Sequence, residues 1–325
     1  MEIASVEVLH VGSELSGSQT VVRLATDSGV VGLGQSGGWG YQGAVADIIS
    51  DLRPVLLGAD PFRTEYLWNA MVRARPFRGN LISAAVSAVD NALWDIKGKA
   101  LQVPVWELLG GRSRDKVRAH ALVGGAGPDE LARSVRWAVG EGYTAVKFDP
   151  LVDGYQDLAM PKLVDSACEM AAAAREAGGH DLDIIFELHR KLDPAKGFVV
   201  ANALAHFQPL FIEDPVQIDS ITAQAEVCRR INAPTAIGER LSSIWEYCEL
   251  LSHGVAIHVR PDVGLSGGLS QCRKIATLAE AYYCGVIPHN FLGPGLSAPT
   301  LQLCVAIPNL VTMEYSPHDE DKRTS

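Results

Sequence analysis

Positive charge is scarce in this chain. Its 325 residues carry 28 Lys and Arg against 38 Asp and Glu, a formal net charge of −10. Such a balance repels nucleic acid and anionic lipid, so neither is expected as a partner. No apolar run approaches the roughly 18 residues of a membrane-crossing helix, so no span is expected. The opening MEIASVEVLHVG has an acid at position 2 and no basic stretch before an apolar one, so it does not read as a secretory leader. Cysteine follows no pattern. Cys168, Cys228, Cys248, Cys272, Cys284 and Cys304 all fall in the second half, and none forms a CxxC. A chain this long needs no disulfide staples, so these are expected to be reduced, mostly buried thiols of a cytoplasmic protein. Low-complexity segments are missing too, and 47% hydrophobic with 20% charged residues describes an ordinary globular protein. At roughly 100–200 residues per domain, one large domain or two ordinary ones would fit.

The first third differs from the rest. Residues 1–10 and 20–34 alternate apolar and polar, as strands do, and VVRLATDSGVVGLG reads as a hairpin turning at Asp27-Ser28-Gly29. Helical patterns follow at 43–56, 63–73 and 81–98. The last places Ile82, Ala85, Val89, Leu93 and Ile96 on one stripe. Residues 1–113 therefore read as an α+β cap. Gly32, Gly34 and Gly37 fit GxGxxG, but a dinucleotide site needs a βαβ unit with a helix opening at the third glycine. Here a hairpin precedes, and Gly38-Trp39-Gly40 opposes a helix.

Over 114–325 a new rhythm sets in. Apolar runs at 143–149, 183–189, 209–214, 234–239, 255–262, 285–289 and 310–314 end in polar residues, with amphipathic stretches such as 157–177, 219–231, 241–252 and 267–283 between them. Glu187, Glu213, Glu239, Asp262, His289 and Glu314 recur at a spacing of about 25 residues, the length of a buried parallel strand with its return helix. Seven or eight such units close into a barrel with its active site at the C-terminal rim. Glu187, Glu213 and Glu239 then stand at one level on neighbouring strands, about 5 Å apart. Three solvated acids of no shared purpose are the plainer alternative. A convergent trio would need a hard cation, and all-oxygen ligation suits Mg²⁺, with Mn²⁺ as a substitute. In a strand, Glu187 with His189 and Lys147 with Asp149 lie at i and i+2 on one face. Asp262 and His289, one βα unit apart, point to a base dyad in which the carboxylate fixes the imidazole tautomer.

These residues resemble a known family. SAVDNALWDIKGKALQVPVWELLGG (87–111) is similar to the signature that closes the capping domain of the enolase superfamily. AVKFD, FELH, FIEDP, IGE, RPDVGLSGGLS and PHN resemble its mandelate racemase subgroup, in the right order over nearly the whole chain. The resemblance implies an α/β fold, a (β/α)₇β modified TIM barrel under an α+β cap, with Mg²⁺ held by Glu187, Glu213 and Glu239. It also implies abstraction of a proton α to a carboxylate, in a homo-oligomer between dimer and octamer. Lys147 matches the first Lys of the family's KxK motif, and Asp262 with His289 its His-Asp dyad. Glu314 matches the acid that helps to hold the substrate carboxylate, which would require a protonated, raised-pKa group. The glycine-rich stretch corresponds to a capping loop, with Trp39 and Tyr41 placed to cover substrate. Specificity would come from residues 12–43.

Three departures stand out. Asp149 replaces the second Lys of KxK, which weakens a two-base proton transfer and makes Asp149 a candidate substrate contact. His189 follows Glu187 by two residues, as in several acid-sugar dehydratases, where that imidazole protonates the leaving hydroxyl. Only 11 residues follow Glu314, fewer than in most relatives. The expected activity is that of a sugar-acid dehydratase (aldonate or aldarate type) forming a 2-keto-3-deoxy acid. A racemase or epimerase using Lys147 and His289, or a cycloisomerase of an anhydro-sugar acid, are the alternatives.

Overall fold

The computed structural model describes residues 1–12, 19–254 and 256–317. Residues 13–18 of the expected specificity region, and the short tail from 318 onward, lie outside the described residues. No described helix is long and apolar enough to cross a membrane.

The chain opens with an antiparallel meander, β1 (Ile3–Val11), β2 (Gln19–Thr26) and β3 (Val31–Gln35). Alternation along β2 buries Val22 and Leu24 on the face covered by helices. These helices are α1 (Gln42–Leu56), α2 (Thr64–Val72), α3 (Asn80–Leu101) and the short α4 (Val105–Leu108). Gly32 and Gly34 let β3 lie directly on α3: a Cβ on Gly34 would stand 1.9 Å from the Ala88 carbonyl oxygen. The GxG spacing thus serves close packing, and no helix opens at Gly37. Along α3, Ala85, Val89, Leu93 and Ile96 are buried as expected, and Ile82 only partly. The opposite side is buried as well, because α3 runs between the sheet and the second half of the molecule.

That half alternates strand and helix. In chain order it comprises β4 (Ala119–Leu122), α5 (Pro128–Gly140), β5 (Ala145–Phe148), α6 (Met160–Gly178), β6 (Asp183–Glu187), α7 (Pro194–Ala205), β7 (Phe211–Glu213) and α8 (Ile221–Cys228). It continues with β8 (Thr235–Ile237), α9 (Ile244–Ser252), β9 (His258–Val259), α10 (Gly268–Ala281), β10 (Gly285–Val286), α11 (Pro294–Ala306) and β11 (Met313–Tyr315). The strands are parallel and neighbour one another in sequence, with β11 beside β4. Val286 closes the ring by donating to the Asn309 carbonyl at 2.8 Å and accepting from Val311 at 3.0 Å. Eight strands and seven helices make the (β/α)₇β barrel that the motifs imply, with β4 as the strand outside the seven apolar runs. Ile185, Phe211, Ala236 and Ile287 form one packed cluster, and larger clusters join strands to helices.

Cap and barrel meet through hydrogen bonds as well as apolar contact. The first turn of α10 has unsatisfied N–H groups, as every helix start does. Side chains of α3 supply the acceptors: Ser87 Oγ for Gly267 (2.9 Å), Asn91 Oδ1 for Leu269 (3.1 Å) and Asp90 Oδ2 for Ser270 (2.9 Å). Ser270 Oγ donates to Asp90 Oδ1 at 2.6 Å, and Trp68 Nε1 to the Gly267 carbonyl at 2.9 Å. Burial pushes the Asp90 carboxyl up to about 7, with the Ser270 hydrogen bonds partly opposing it.

Asp90→Ala should strand two buried donors of Ser270 and lower stability by about 1–3 kcal/mol, read as a lower urea midpoint. Asp90→Asn keeps an acceptor and should lose clearly less. An Asn variant as unstable as the Ala variant would show that the charge, not the hydrogen bonding, holds the two halves together.

Candidate active site

The barrel register sets the site. Glu187 and Glu213 end β6 and β7 and are register partners. Glu239 follows β8 after Gly238, whose φ of +121° turns the chain and whose missing Cβ leaves room for the Tyr247 ring. The three side chains are buried, and one carboxylate oxygen from each lies within 4.8 Å of the others. Burial pushes Glu213 well up, and the charge of Glu187 adds to this. Burial would raise Glu187 as well, but Lys147, a hydrogen bond with Glu213 and His189 together outweigh it and bring the group down to about 2. Two adjacent carboxylates competing for one lysine behave in this way.

Lys147, in β5, sits among the anions. Its Nζ lies 3.0 Å from Glu187 Oε2, 3.1 Å from Glu213 Oε2 and 2.6 Å from Glu314 Oε2. Burial would lower its pKa, and the carboxylates more than offset that, so it stays charged. Arg260, fully buried at the end of β9, pairs with Glu213 at 2.5 Å and contacts Glu314. Glu314 would be raised by burial, yet Lys147 and Arg260 hold it well below the usual carboxylate range. The protonated donor expected at Glu314 is therefore not what this arrangement presents. As an anion, Glu314 instead orients the two cations.

On the other side of the trio, Arg190 donates to Glu239 Oε1 at 2.5 Å and to Asp214 Oδ2 at 2.8 Å, and Arg240 pairs with Glu239 at 3.1 Å. Glu187, Glu213, Glu239, Asp214, Asp262 and Glu314 thus face Lys147, Arg190, Arg240 and Arg260. Six acidic groups outnumber the four cations, and the excess leaves carboxylate oxygens for a divalent cation. A buried, all-oxygen donor set with that surplus fits such an ion.

Asp262 and His289 come together, as their spacing suggests. Asp262 Oδ2 lies 2.6 Å from His289 Nδ1, and Asp262 Oδ1 accepts from Gly264 at 2.6 Å. His289 Nε2 is 3.5 Å from Glu239 and 3.9 Å from Glu314, so that nitrogen faces the carboxylates. Burial would lower the His289 pKa, but Glu239, Glu314 and Asp262 together hold it above its ordinary value. The cap reaches this dyad. Gly37 donates to the Gly264 carbonyl at 2.8 Å, and Trp39 meets Phe291 edge-on at 6.0 Å, which in turn lies 5.1 Å from the His289 ring. The Trp39 indole is half exposed and lies beneath the Arg240 guanidinium at 5.5 Å.

His189 departs from the expected geometry. Strand β6 ends at Glu187, Leu188 is buried, and His189 takes a left-handed φ of +50°, so the i, i+2 rule for one strand face does not apply. Its backbone N–H caps Glu187 Oε1 at 2.7 Å. The ring lies at the rim, 44% exposed, with Nδ1 2.7 Å from Asp149 Oδ2. Asp149 was expected to face substrate, and here it contacts protein groups: His189, Lys191 Nζ at 2.5 Å and the Leu151 N–H at 2.8 Å.

Arg190, Asp214, Arg240 and Arg260 were not among the expected site residues. Arg260 was legible in principle, since it precedes Asp262 by two residues in the same run. His120, one of several histidines without an evident constellation, lies under the site, 3.8 Å from Glu314, and burial lowers it to about 4.

Comparison with known proteins agrees with this geometry. Residues 6–110 match the mandelate racemase/muconate lactonizing enzyme N-terminal domain, and residues 130–324 match the enolase C-terminal domain-like family. D-galactonate dehydratase of Klebsiella pneumoniae (strain 342) is 36% identical over 303 residues, 91% of this chain and 77% of that protein. The D-galactonate dehydratase of Verminephrobacter eiseniae is 36% identical over 277 residues, 84% of this chain and 72% of that protein. Among solved structures, an enolase of Agrobacterium radiobacter, a candidate galactarate dehydratase with bound Na and L-malate, superposes with a TM-score of 0.92 at 33% identity, covering 97% of this chain and 80% of that one.

The pKa of His289 should respond to the charge beside it. In metal-free protein, ¹⁵N-detected titration should place it above 6.5, and adding Mg²⁺ should lower it, because a cation on Glu239 disfavours a second positive charge nearby. A titration unmoved by Mg²⁺ would separate the base from the metal site.

Proposed function

The chain belongs to the mandelate racemase/muconate lactonizing enzyme family of the enolase superfamily, and on that basis we propose that it is a sugar-acid dehydratase. The relatives named above support a hydro-lyase acting on a hexonate or hexarate. The observation that carries the reading is the placement of two histidines around one carboxylate cluster: a buried one backed by Asp262, and a rim one on the loop that follows the first ligand, Glu187. Elimination needs a base and an acid, whereas a racemase would need two bases.

Mg²⁺ held by Glu187, Glu213 and Glu239 would supply Lewis-acid stabilisation of the substrate carboxylate as negative charge builds on it. Lys147 hydrogen-bonds the same carboxylate and, kept protonated by its neighbours, offsets the second charge of the enediolate. Glu314, itself paired with Arg260, holds Lys147 in place. His289 Nε2 accepts the α-proton, with Asp262 stabilising the imidazolium that results. His189 gives a proton to the β-hydroxyl, the C–O bond breaks, and water leaves. The enol so formed tautomerises to the 2-keto-3-deoxy acid. Trp39, resting on Phe291, shields the base from solvent. Cytoplasmic localisation and a homo-oligomeric assembly accompany this reading.

A panel of aldonates and aldarates assayed with Mg²⁺ should yield a 2-keto acid from at least one member. Chelation or Glu213→Gln should abolish turnover and leave circular dichroism nearly unchanged. Full activity without a divalent ion would sink the metal assignment.

The two histidines divide the work. His289→Asn should lose both dehydration and α-proton exchange in D₂O. His189→Asn should lose dehydration by about 10²–10⁴-fold and keep exchange, since general-acid help has that magnitude. Normal dehydration by His189→Asn would move the racemase or cycloisomerase readings ahead.

A further inference from the structure

The rim histidine has a partner for which the proposed chemistry gives no reason. We propose that Asp149 is the positioning residue for His189, and that Asp149–His189 is a second carboxylate–imidazole pair, facing Asp262–His289 across the carboxylate trio. The inference rests on His189 being the acid of the dehydration.

Three contacts fix the Asp149 carboxylate. Oδ1 accepts from the Leu151 N–H at 2.8 Å, a bond within its own turn that sets the side-chain rotamer. Oδ2 takes both Lys191 Nζ at 2.5 Å and His189 Nδ1 at 2.7 Å. A carboxylate without a proton is an acceptor only, so Nδ1 must be the donor. In the imidazolium the transferable proton is then carried on Nε2, the nitrogen also free of Asp262 in the other pair, and its transfer leaves the neutral Nδ1–H tautomer. Both imidazoles are therefore held at Nδ1 and work through Nε2.

The need for such a partner follows from where His189 sits. His289 is buried, wedged by Phe291 and fixed by its surroundings. His189 is 44% exposed on a left-handed loop residue, and its backbone is tied to Glu187. That tie places the Cα and leaves the ring free about χ1 and χ2. Proton transfer requires heavy atoms about 2.6–3.2 Å apart, so a rotating ring loses most of its use. Asp149 Oδ2 is hydrogen-bonded to the ring, and Lys191 Nζ pairs with the same oxygen. The place of Asp149 in the sequence also makes sense. A lysine there would repel a protonated imidazole, whereas an aspartate orients it.

The test separates positioning from substrate contact. Asp149→Ala should reduce kcat for dehydration about 10- to 100-fold, the usual cost of removing the partner that orients a functional histidine. KM should change less than threefold, and α-proton exchange in D₂O should stay within a factor of two. Asp149→Asn, whose amide oxygen can still accept from Nδ1, should recover most of the loss. In a His189→Asn background, Asp149→Ala should add nothing further. A readout independent of turnover is the ¹⁵N spectrum of the His189 ring, assigned by its loss in His189→Asn: wild type should show the Nδ1–H tautomer, and Asp149→Ala a mixture.

A rise in KM at unchanged kcat, or losses from the two substitutions that multiply, would make Asp149 a substrate contact and overturn the proposal. So would a ring tautomer unchanged in Asp149→Ala. If the ring responds as expected while His189→Asn dehydrates normally, the positioning stands and the assignment of His189 as the acid falls.

Discussion

Three carboxylates forced together at the rim of a barrel set the terms for everything around them. At an effective dielectric constant of about 20, two unit charges 5 Å apart repel by about 3 kcal/mol, and three such pairs approach the whole stability of a domain. Register makes the crowding unavoidable: Glu187 and Glu213 are paired residues of adjacent parallel strands, and neither can turn away without breaking a barrel strand. The chain answers with cations buried at the same depth. Lys147 touches three carboxylates, and Arg260, with no exposed surface, pairs with Glu213 and Glu314 and lies 3.9 Å from Glu239. Removing either would leave buried anions uncompensated, a loss of about 3–5 kcal/mol when one partner of such a pair is deleted. The excess of carboxylates over cations is what suits the site to a divalent ion.

The same economy explains why the cap is more than a cover. Helix α3 lends three polar side chains, Ser87, Asp90 and Asn91, to the start of α10, and that start is the far end of the loop that begins at Asp262. The capping bonds from Ser87, Asp90 and Asn91 therefore fix residues 267–270, while Asn91 also donates to the Val263 carbonyl at 3.1 Å. Gly37 pins the loop from above through Gly264, whose own missing Cβ is required by the approach of the two chains. The position of the Asp262–His289 pair is thus decided jointly by both halves. A displacement of the cap would be felt at His289 through hydrogen bonds before any substrate was lost.

How much of this was written legibly in the sequence varies with the physics behind each feature. The barrel was readable because each unit repeats a length and ends in a polar residue, so that Glu187, Glu213, Glu239, Asp262, His289 and Glu314 could be placed by spacing alone. Helix α11 gave little signal, since PGLSAPTLQLCVA is apolar nearly all round and carries Pro299 inside it. Strand β4 is four residues long and includes a histidine, so it did not stand out as an apolar run. Dyad Asp262–His289 was legible because one βα unit separates its members. Pair Asp149–His189 was not, although both residues were singled out. Strand periodicity assigned each to a face, whereas the contact depends on β6 stopping at Glu187 and on a left-handed φ at His189, neither of which periodicity carries. Arg190 and Arg240 were missed for a similar reason: each follows a feature residue by one position, and in a continuing strand that would turn it away from the site.

The unequal exposure of the two imidazoles fits opposite tasks. On the proposed roles, a base that must win a proton from carbon gains from surrounding carboxylates, which stabilise the charge that forms on it and more than offset the cost of burial, and His289 has Glu239, Glu314 and Asp262 around it behind Phe291 and Trp39. An acid must be recharged after every turnover, and the water it helps to expel must leave. Both needs are met by a ring at the rim, in contact with solvent. Exposure has its own cost in lost orientation, and a neighbouring carboxylate clamped by Lys191 is the least disruptive way to restore it without burying the ring. On this view the aspartate at position 149 follows from the histidine at 189: once the acid is placed on an open loop, the second strand must offer it an acceptor instead of a competing cation.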